Sequence, residues 1–170
     1  MPRNVEIKAR VDDLEAVRAR VQTLTSASPE HLTQTDTFFL VPNGRLKLRE
    51  LGDRTAELIF YDRPDQPGPK ASTYTRCPVV DATLLRSVLT ASVGVRGVVE
   101  KEREVFLHEQ TRIHLDRVEG LGTFLELEVA IGDDEPLSTG EAIARDILRF
   151  LDVGDDQLVA AAYIDLLAGD

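Results

Sequence analysis

Residues 111–129, TRIHLDRVEGLGTFLELEV, hold the pattern that decides the fold. Arg112, His114 and Asp116 fall on one parity and Ile113 and Leu115 on the other. After Glu119-Gly120-Leu121-Gly122 the alternation resumes, with Glu126 and Glu128 set against Leu125, Leu127 and Val129. Successive side chains of a strand point to opposite faces, so a period of two separated by a glycine-containing break predicts a hairpin, with strands at about 111–118 and 123–131. One face of this hairpin is ionic and the other is apolar.

The same sorting recurs outwards along the chain. Glu6, Lys8 and Arg10 oppose Val5, Ile7 and Ala9 in residues 3–11; Arg45, Lys47 and Arg49 oppose Leu46 and Leu48 in 45–51; Lys101 and Arg103 share a parity in 97–108. Further strand-like runs lie at about 31–41, 55–63 and 70–79. They are separated by Pro42-Asn43-Gly44, by Gly52-Asp53 and by Pro64–Pro69, which reads as one mobile loop, and together they predict an antiparallel meander. Helical spacing of Leu14, Val17, Val21 and Leu24 after Asp12 or Asp13 predicts a first helix through about Thr25. Asp81 is placed to cap a second, with Leu84, Leu85, Val88 and Leu89 on its apolar side, ending near Gly94. Ser138-Thr139-Gly140-Glu141 has the form of a capping box opening a third helix to about Leu151, and Asp155 could start a fourth through Leu167. About eight strands and four helices without strict alternation predict an α+β domain with a largely antiparallel sheet, and eight strands suffice to close a small barrel. No repeat or linker divides residues 1–170, so a single domain is expected.

Composition narrows the classes of function. The chain has 170 residues, 42% of them hydrophobic, and a formal charge of −10, which argues against disorder and against general binding of duplex nucleic acid. No apolar run approaches the roughly 20 residues that cross a bilayer, so no membrane partner is expected. The start MPRNVEIKAR lacks the apolar core of a secretory signal, and the single cysteine, Cys77, has no partner for an intramolecular disulfide; a cytoplasmic location and a buried, inert Cys77 are the expectation.

Cations aligned on neighbouring strands repel one another, so the arrangement is destabilising unless an anion lies among them. Two arrangements answer this. Either the ionic face meets water while helices cover the apolar face, or the ionic face curls inwards into a solvated channel. A channel suits a polyanion: Arg45, Lys47, Arg49, Lys101, Arg103 and Arg112 offer bidentate and point-charge contacts to a row of phosphates. Glu6, Glu126 and Glu128 offer the oxygen ligands that a hard cation such as Mg²⁺ or Mn²⁺ prefers, Glu126 and Glu128 projecting from one strand face about 6.5–7 Å apart. His114, sharing a face with Arg112 and Asp116, is a candidate to touch substrate or a metal-bound water. His31 and His108 read as surface or loop residues, and Tyr61, Tyr74 and Tyr163 as core or rim residues rather than platforms for a nucleobase.

In these residues, taken in order, the sequence resembles the CYTH family of triphosphate tunnel metalloenzymes, which includes class IV adenylyl cyclases and thiamine triphosphatases. Asn4-Val5-Glu6-Ile7-Lys8 is similar to the family's opening Glu-x-Glu-x-Lys strand, Arg45-Leu46-Lys47-Leu48-Arg49 and Lys101-Glu102-Arg103 to its cationic strands, and Leu115–Glu128 to its acidic hairpin. The resemblance implies an eight-stranded antiparallel barrel, closed or nearly so around a tunnel open at both ends, clad by about four helices and holding a triphosphorylated small molecule with Mg²⁺ or Mn²⁺. By carry-over, Lys8, Arg45, Lys47, Arg49, Lys101, Arg103 and Arg112 bind phosphate and Glu6, Glu126 and Glu128 bind metal. Asp116 is then a further ligand or a water-orienting base, Lys8, Arg103 and Asp116 make up the catalytic set, and Lys70 reaches in from the proline loop. Asn4 departs from the pattern, its neutral amide standing where the first Glu is expected. The implied chemistry is triphosphate hydrolysis ahead of cyclisation of ATP to cyclic AMP, with a non-catalytic triphosphate- or polyphosphate-binding module as the rival that Asn4 favours; a monomer or homodimer fits either.

Overall fold

A computed structural model describes residues 3–63, 65–66 and 68–169; Pro64 and Pro67 of the expected loop lie outside them. Eight strands, β1 (Arg3–Arg10), β2 (Glu30–Phe39), β3 (Arg45–Leu51), β4 (Ala56–Asp62), β5 (Lys70–Val79), β6 (Val95–His108), β7 (Thr111–Val118) and β8 (Gly122–Ile131), close a barrel in the order β1-β5-β4-β3-β2-β6-β7-β8. Each neighbouring pair is antiparallel. The runs β2–β5 and β6–β8 are meanders, and β1 closes the ring between β5 and β8. Closure leaves no long unpaired edge, which is the usual hazard of a strand-rich chain.

The helices are α1 (Leu14–Leu24), α2 (Ala82–Ser92), α3 (Leu137–Phe150) and α4 (Tyr163–Ala168). Asp13 caps α1 by accepting from the Ala16 N–H, and Asp81 caps α2 by accepting from the Leu84 N–H. The apolar parity of the strands faces outwards beneath these helices. Val5, Ile7, Ala9, Ile113, Leu115, Leu125, Leu127 and Val129 form one core with Leu14, Val17 and Val21 of α1 and Ala144, Ile147 and Leu148 of α3. The ionic parity is thereby turned to the inside. Register brings the inward residues face to face: Lys8 opposite Glu126, Glu6 opposite Glu128, Arg49 opposite Asp36, Arg103 opposite Asp116 and His114 opposite Glu126.

Four expectations need correction. α3 opens at Leu137 with Pro136 at its cap and no side-chain cap bond, so Ser138 lies in the first turn rather than outside it; Pro136, at φ −68° and extended in ψ, sets the break. The fourth helix is only Tyr163–Ala168. A single 3-10 turn at Asp155–Gln157 precedes it, and the chain then runs extended because β5 stops pairing with β1 at Glu6 and Lys70, leaving backbone groups that Leu158 and Val159 bond instead. Leu85 and Leu89 of α2 pack partly against Phe39, Leu48 and Ala56, whereas Leu84 and Val88 are exposed. Cys77 is exposed as well, on the outward parity of β5. No helix among the described residues is long and apolar enough to cross a membrane.

Gly140 sets how closely α3 approaches the barrel. A Cβ there would stand 2.7 Å from Val5 Cγ2 and 3.0 Å from Ile131 Cγ2. Gly140→Val should therefore lower unfolding free energy by about 1–3 kcal/mol through overpacking, while the far-ultraviolet circular dichroism retains its strand signature; chemical denaturation monitored by that signal is the check.

Candidate active site

The inward parity of the strands converges on one cavity, settling the two arrangements left open by the sequence in favour of the channel. Lys8, Lys47, Arg49, Arg63, Arg76, Lys101, Arg103 and Arg112 line it together with Glu6, Asp36, Glu126 and Glu128. Eight cations thus face four carboxylates inside a chain whose total charge is −10. An interior so biased towards positive charge has the electrostatics that suit a polyanion.

Two buried aspartates fix the cations in place. Asp36 takes Lys47 at 2.9 Å and both Nε and Nη2 of Arg49 at 2.7 Å, with Lys101 Nζ 4.0 Å away. Burial alone would raise the Asp36 carboxyl, but Lys47, Arg49 and Lys101 hold it well below the usual carboxylate range. Asp116, fully buried, takes Arg103 through two 2.6 Å bonds and the Tyr163 hydroxyl through a 2.7 Å bond. Against the effect of burial, Arg103 and Lys101 bring its pKa down to about 2. Both Asp116 oxygens are thus engaged, and the carboxylate holds Arg103 in place. Lys47 is pushed down to about 8 by burial and by Arg49, and Lys101 falls well below its ordinary value through burial, Arg103 and Arg49. These ammonium groups have lost water and have gained only part of a counter-charge.

The last stretch of chain closes one end of the barrel. Lys70 is the first residue of β5 rather than a loop residue; it is buried, and its ammonium donates to the carbonyls of Ala160 at 2.7 Å and Gln66 at 3.3 Å. Arg45 bonds Asp65 at 2.7 Å and Asp165 at 2.8 Å, the second of these in α4. Neither Lys70 nor Arg45 lines the cavity among the described residues; both fasten the closing segment instead. Tyr163 reaches furthest in, its ring lying 3.8 Å below the Lys8 ammonium and edge-on to Phe124, 4.9 Å between centroids. The tunnel is therefore blocked at this end, where the resemblance implied an opening, while the exposed Arg112 stands at the opposite mouth.

Carboxylates gather on β1 and β8. Burial, then Glu126 and Glu128, push Glu6 up to about 7, so the three acids crowd one another more than the nearby Arg63, 3.9 Å from Glu6, relieves. Ligand atoms of His114, Glu126 and Glu128 lie within 4.8 Å of one another. Crowded carboxylates beside a buried imidazole are a donor set that fits a divalent cation. Asn4 also borders the cavity and adds a neutral amide to it.

The parity argument, applied only to strands with dense charge, missed Asp36, Arg63, Ser72, Arg76 and the ring of Tyr163. Asp36 is a lone acid among threonines and aromatics, Arg63 directly follows β4, and Arg76 stands six residues from the nearest cation of its own parity in β5, Lys70. Sorting every predicted strand by parity would have recovered Asp36 and Arg76; Tyr163 comes from outside the strands and carries no such signal.

The comparisons with known proteins agree with this geometry. MJ0240 of Methanocaldococcus jannaschii, provisionally named an adenylate cyclase, is 26% identical over 175 residues, spanning 95% of this chain and 97% of its own. The solved structure of PH1012 from Pyrococcus horikoshii OT3 superposes with a TM-score of 0.86 at 24% identity, over 96% of this chain and 98% of that one. HpAC1 of Hippeastrum, a provisional adenylyl cyclase described as revealing a dominant triphosphatase activity, superposes at 0.70 with 14% identity over 100% and 97% of the two chains. The CYTH domain matches residues 2–163, and with the closed barrel and its ionic interior this chain belongs to the CYTH family.

Proposed function

We propose that the barrel hydrolyses a triphosphorylated small molecule with the help of Mg²⁺ or Mn²⁺. The observation that carries this reading is the convergence of eight cations and a carboxylate cluster in one tunnel closed at one end. Arg49, Lys47 and Lys101 offer a continuous set of donors along β3 and β6, held by Asp36, so a phosphate chain meets groups already oriented and already stripped of water. Arg103, locked by Asp116 and Tyr163, presents the remaining face of its guanidinium to charge developing on the transferred phosphoryl group. Lys8 adds a charge beside Glu126, 3.6 Å away. A divalent cation held by Glu6, Glu126 and Glu128 would supply neutralisation of phosphate oxygens.

The aromatic rings favour chemistry on the phosphate tail over recognition of a base. Lys47 lies over Phe38 and Tyr61 at 5.5 and 5.4 Å, Arg76 over Tyr74 at 5.5 Å and Lys8 over Tyr163 at 3.8 Å, so each ring is already engaged by a cation. The dominant triphosphatase activity described for HpAC1 supports the same choice. Cyclisation, in which the 3′-hydroxyl of ATP attacks the α-phosphorus and pyrophosphate leaves, is the second reading, favoured by the provisional name of MJ0240. Incubation with ATP, thiamine triphosphate and inorganic triphosphate in Mg²⁺ or Mn²⁺ separates them. Released orthophosphate supports hydrolysis; cyclic AMP with pyrophosphate overturns it in favour of cyclisation; binding without turnover removes the enzyme.

Glu126→Ala should abolish metal-dependent turnover with the circular dichroism unchanged, because the carboxylate faces the tunnel and supports no apolar packing. Arg49→Ala should raise KM and lower kcat together, with a loss in kcat/KM of about a hundredfold, the scale of removing one preoriented donor; steady-state phosphate release measures both. The pH dependence follows from Lys47. Its pKa of about 8 in the free site lies below its ordinary value, and a bound polyanion restores the charged form. Affinity is thus complete below pH 8 and falls as pH rises through it, and between pH 8 and 10 binding should take up protons. Calorimetric titration of inorganic triphosphate in two buffers of different ionisation enthalpy will show that uptake as a difference in apparent heat.

A further inference from the structure

His114 has an unusual position for a histidine in a folded barrel. It is 4% exposed, and Nδ1 is buried with no hydrogen-bond partner. Nδ1 lies 3.8 Å from a Glu126 oxygen and Nε2 lies 3.8 Å from a Glu128 oxygen. An imidazolium clamped between two carboxylates would draw them to about 2.7–2.9 Å, the length of a charge-assisted bond, and neither contact approaches this. One ion can take only one of the two ring nitrogens; with one ligand atom from each residue, the ring and the two carboxylates lie within 4.8 Å of one another, so side-chain shifts of about half an ångström bring them round one small divalent ion, whose ligands at about 2.1 Å stand about 3–4 Å apart. Glu126 is also approached by Lys8 at 3.6 Å and by Arg103 at 3.9 Å, both beyond hydrogen-bond length, so neither removes its oxygens from coordination.

We infer that His114 joins Glu126 and Glu128 as the nitrogen ligand of a mixed nitrogen and oxygen cation site, which makes this barrel select imidazole-accepting divalent metals over Mg²⁺. The proposal rests on reading the barrel as a metal-dependent triphosphate site and specifies what that site prefers. Carboxylates alone suit Mg²⁺, Ca²⁺ and Mn²⁺. An added imidazole shifts preference along the series towards Co²⁺, Ni²⁺ and Zn²⁺, while Mg²⁺, which holds its waters and favours oxygen, gains little. The position is part of the fold: His114 stands opposite Glu126 across the β7–β8 ladder, two strands over from Lys8 and Glu6 of β1.

The test uses the full chain carrying His31→Gln and His108→Gln, so that His114 is the sole imidazole. Co²⁺ binding is followed by visible absorption and Mg²⁺ binding by competition against it. Adding His114→Ala should weaken Co²⁺ by about tenfold or more while Mg²⁺ changes by less than about twofold; an equal change for both cations, or no change for Co²⁺, overturns the proposal. A second measurement does not depend on that variant folding: with Mn²⁺ bound to the His114-only chain, electron spin echo modulation should detect a directly bound nitrogen, and its absence also overturns the proposal. Phosphate release from a triphosphate without that nitrogen signal would leave the enzymatic reading standing and remove this one. The nitrogen signal with no turnover of any triphosphate would do the reverse.

Discussion

Taking a cation out of water is among the most expensive things a fold can do, and this barrel does it to Lys8, Arg49, Lys70, Lys101 and Arg103 together. Asp36 and Asp116 make it possible. Each is buried and accepts at least two charge-assisted bonds of 2.6–2.9 Å, so that the cations around them are oriented but only partly neutralised. Complete neutralisation would give a stable plug of salt bridges with nothing to offer an anion. Incomplete neutralisation leaves ammonium groups with lowered pKa values, a sign that the folded protein alone does not satisfy them.

Barrel closure is the second half of the same constraint. An open sheet with these sequences would present a cationic face to water, where charges of one sign are screened and worth little. Curling the sheet until β1 meets β8 removes solvent from one side of each inward residue and raises the worth of every charge there. The apolar parity then needs a coat, which α1 and α3 supply on the β1, β7 and β8 side and α2 more loosely on β3. The inside-out appearance of the protein, with its main core between sheet and helices and its charges at the centre, follows from that one topological decision.

Much of this was legible in the residues. Strict alternation over Arg45–Arg49, Ile113–Asp116 and Leu125–Val129 carried the strands, the sorting of charge from apolar surface, and the choice of Lys47, Arg49, Lys101, Arg103, Glu6, Glu126 and Glu128 as inward groups. What alternation does not carry is which cations find partners at home. Arg45 and Lys70 have the same parity as their neighbours, but they stand where the closing segment supplies Asp165 and the Ala160 carbonyl, and their charge is used there. That pairing joins residues 90 or more apart in the chain, and a local pattern has no access to it.

The closing segment also explains why the helix expected from Asp155 does not form. Leu158 and Val159 have a bonding opportunity on β1 that a helix would forfeit, since the strand's edge from Lys8 onwards has no β5 residue opposite it. Taking it stretches the chain across the barrel's end and drops Tyr163 into the lumen. There the ring shields Lys8 and the hydroxyl completes the shell of Asp116. A helix propensity worth tenths of a kcal/mol per residue loses to backbone groups that would otherwise be buried unpaired, each worth about 1–3 kcal/mol. The closing of this end of the tunnel is thus a consequence of where β5 runs out, and it places Arg103 and Lys8 against the segment that carries Tyr163, away from the exposed Arg112.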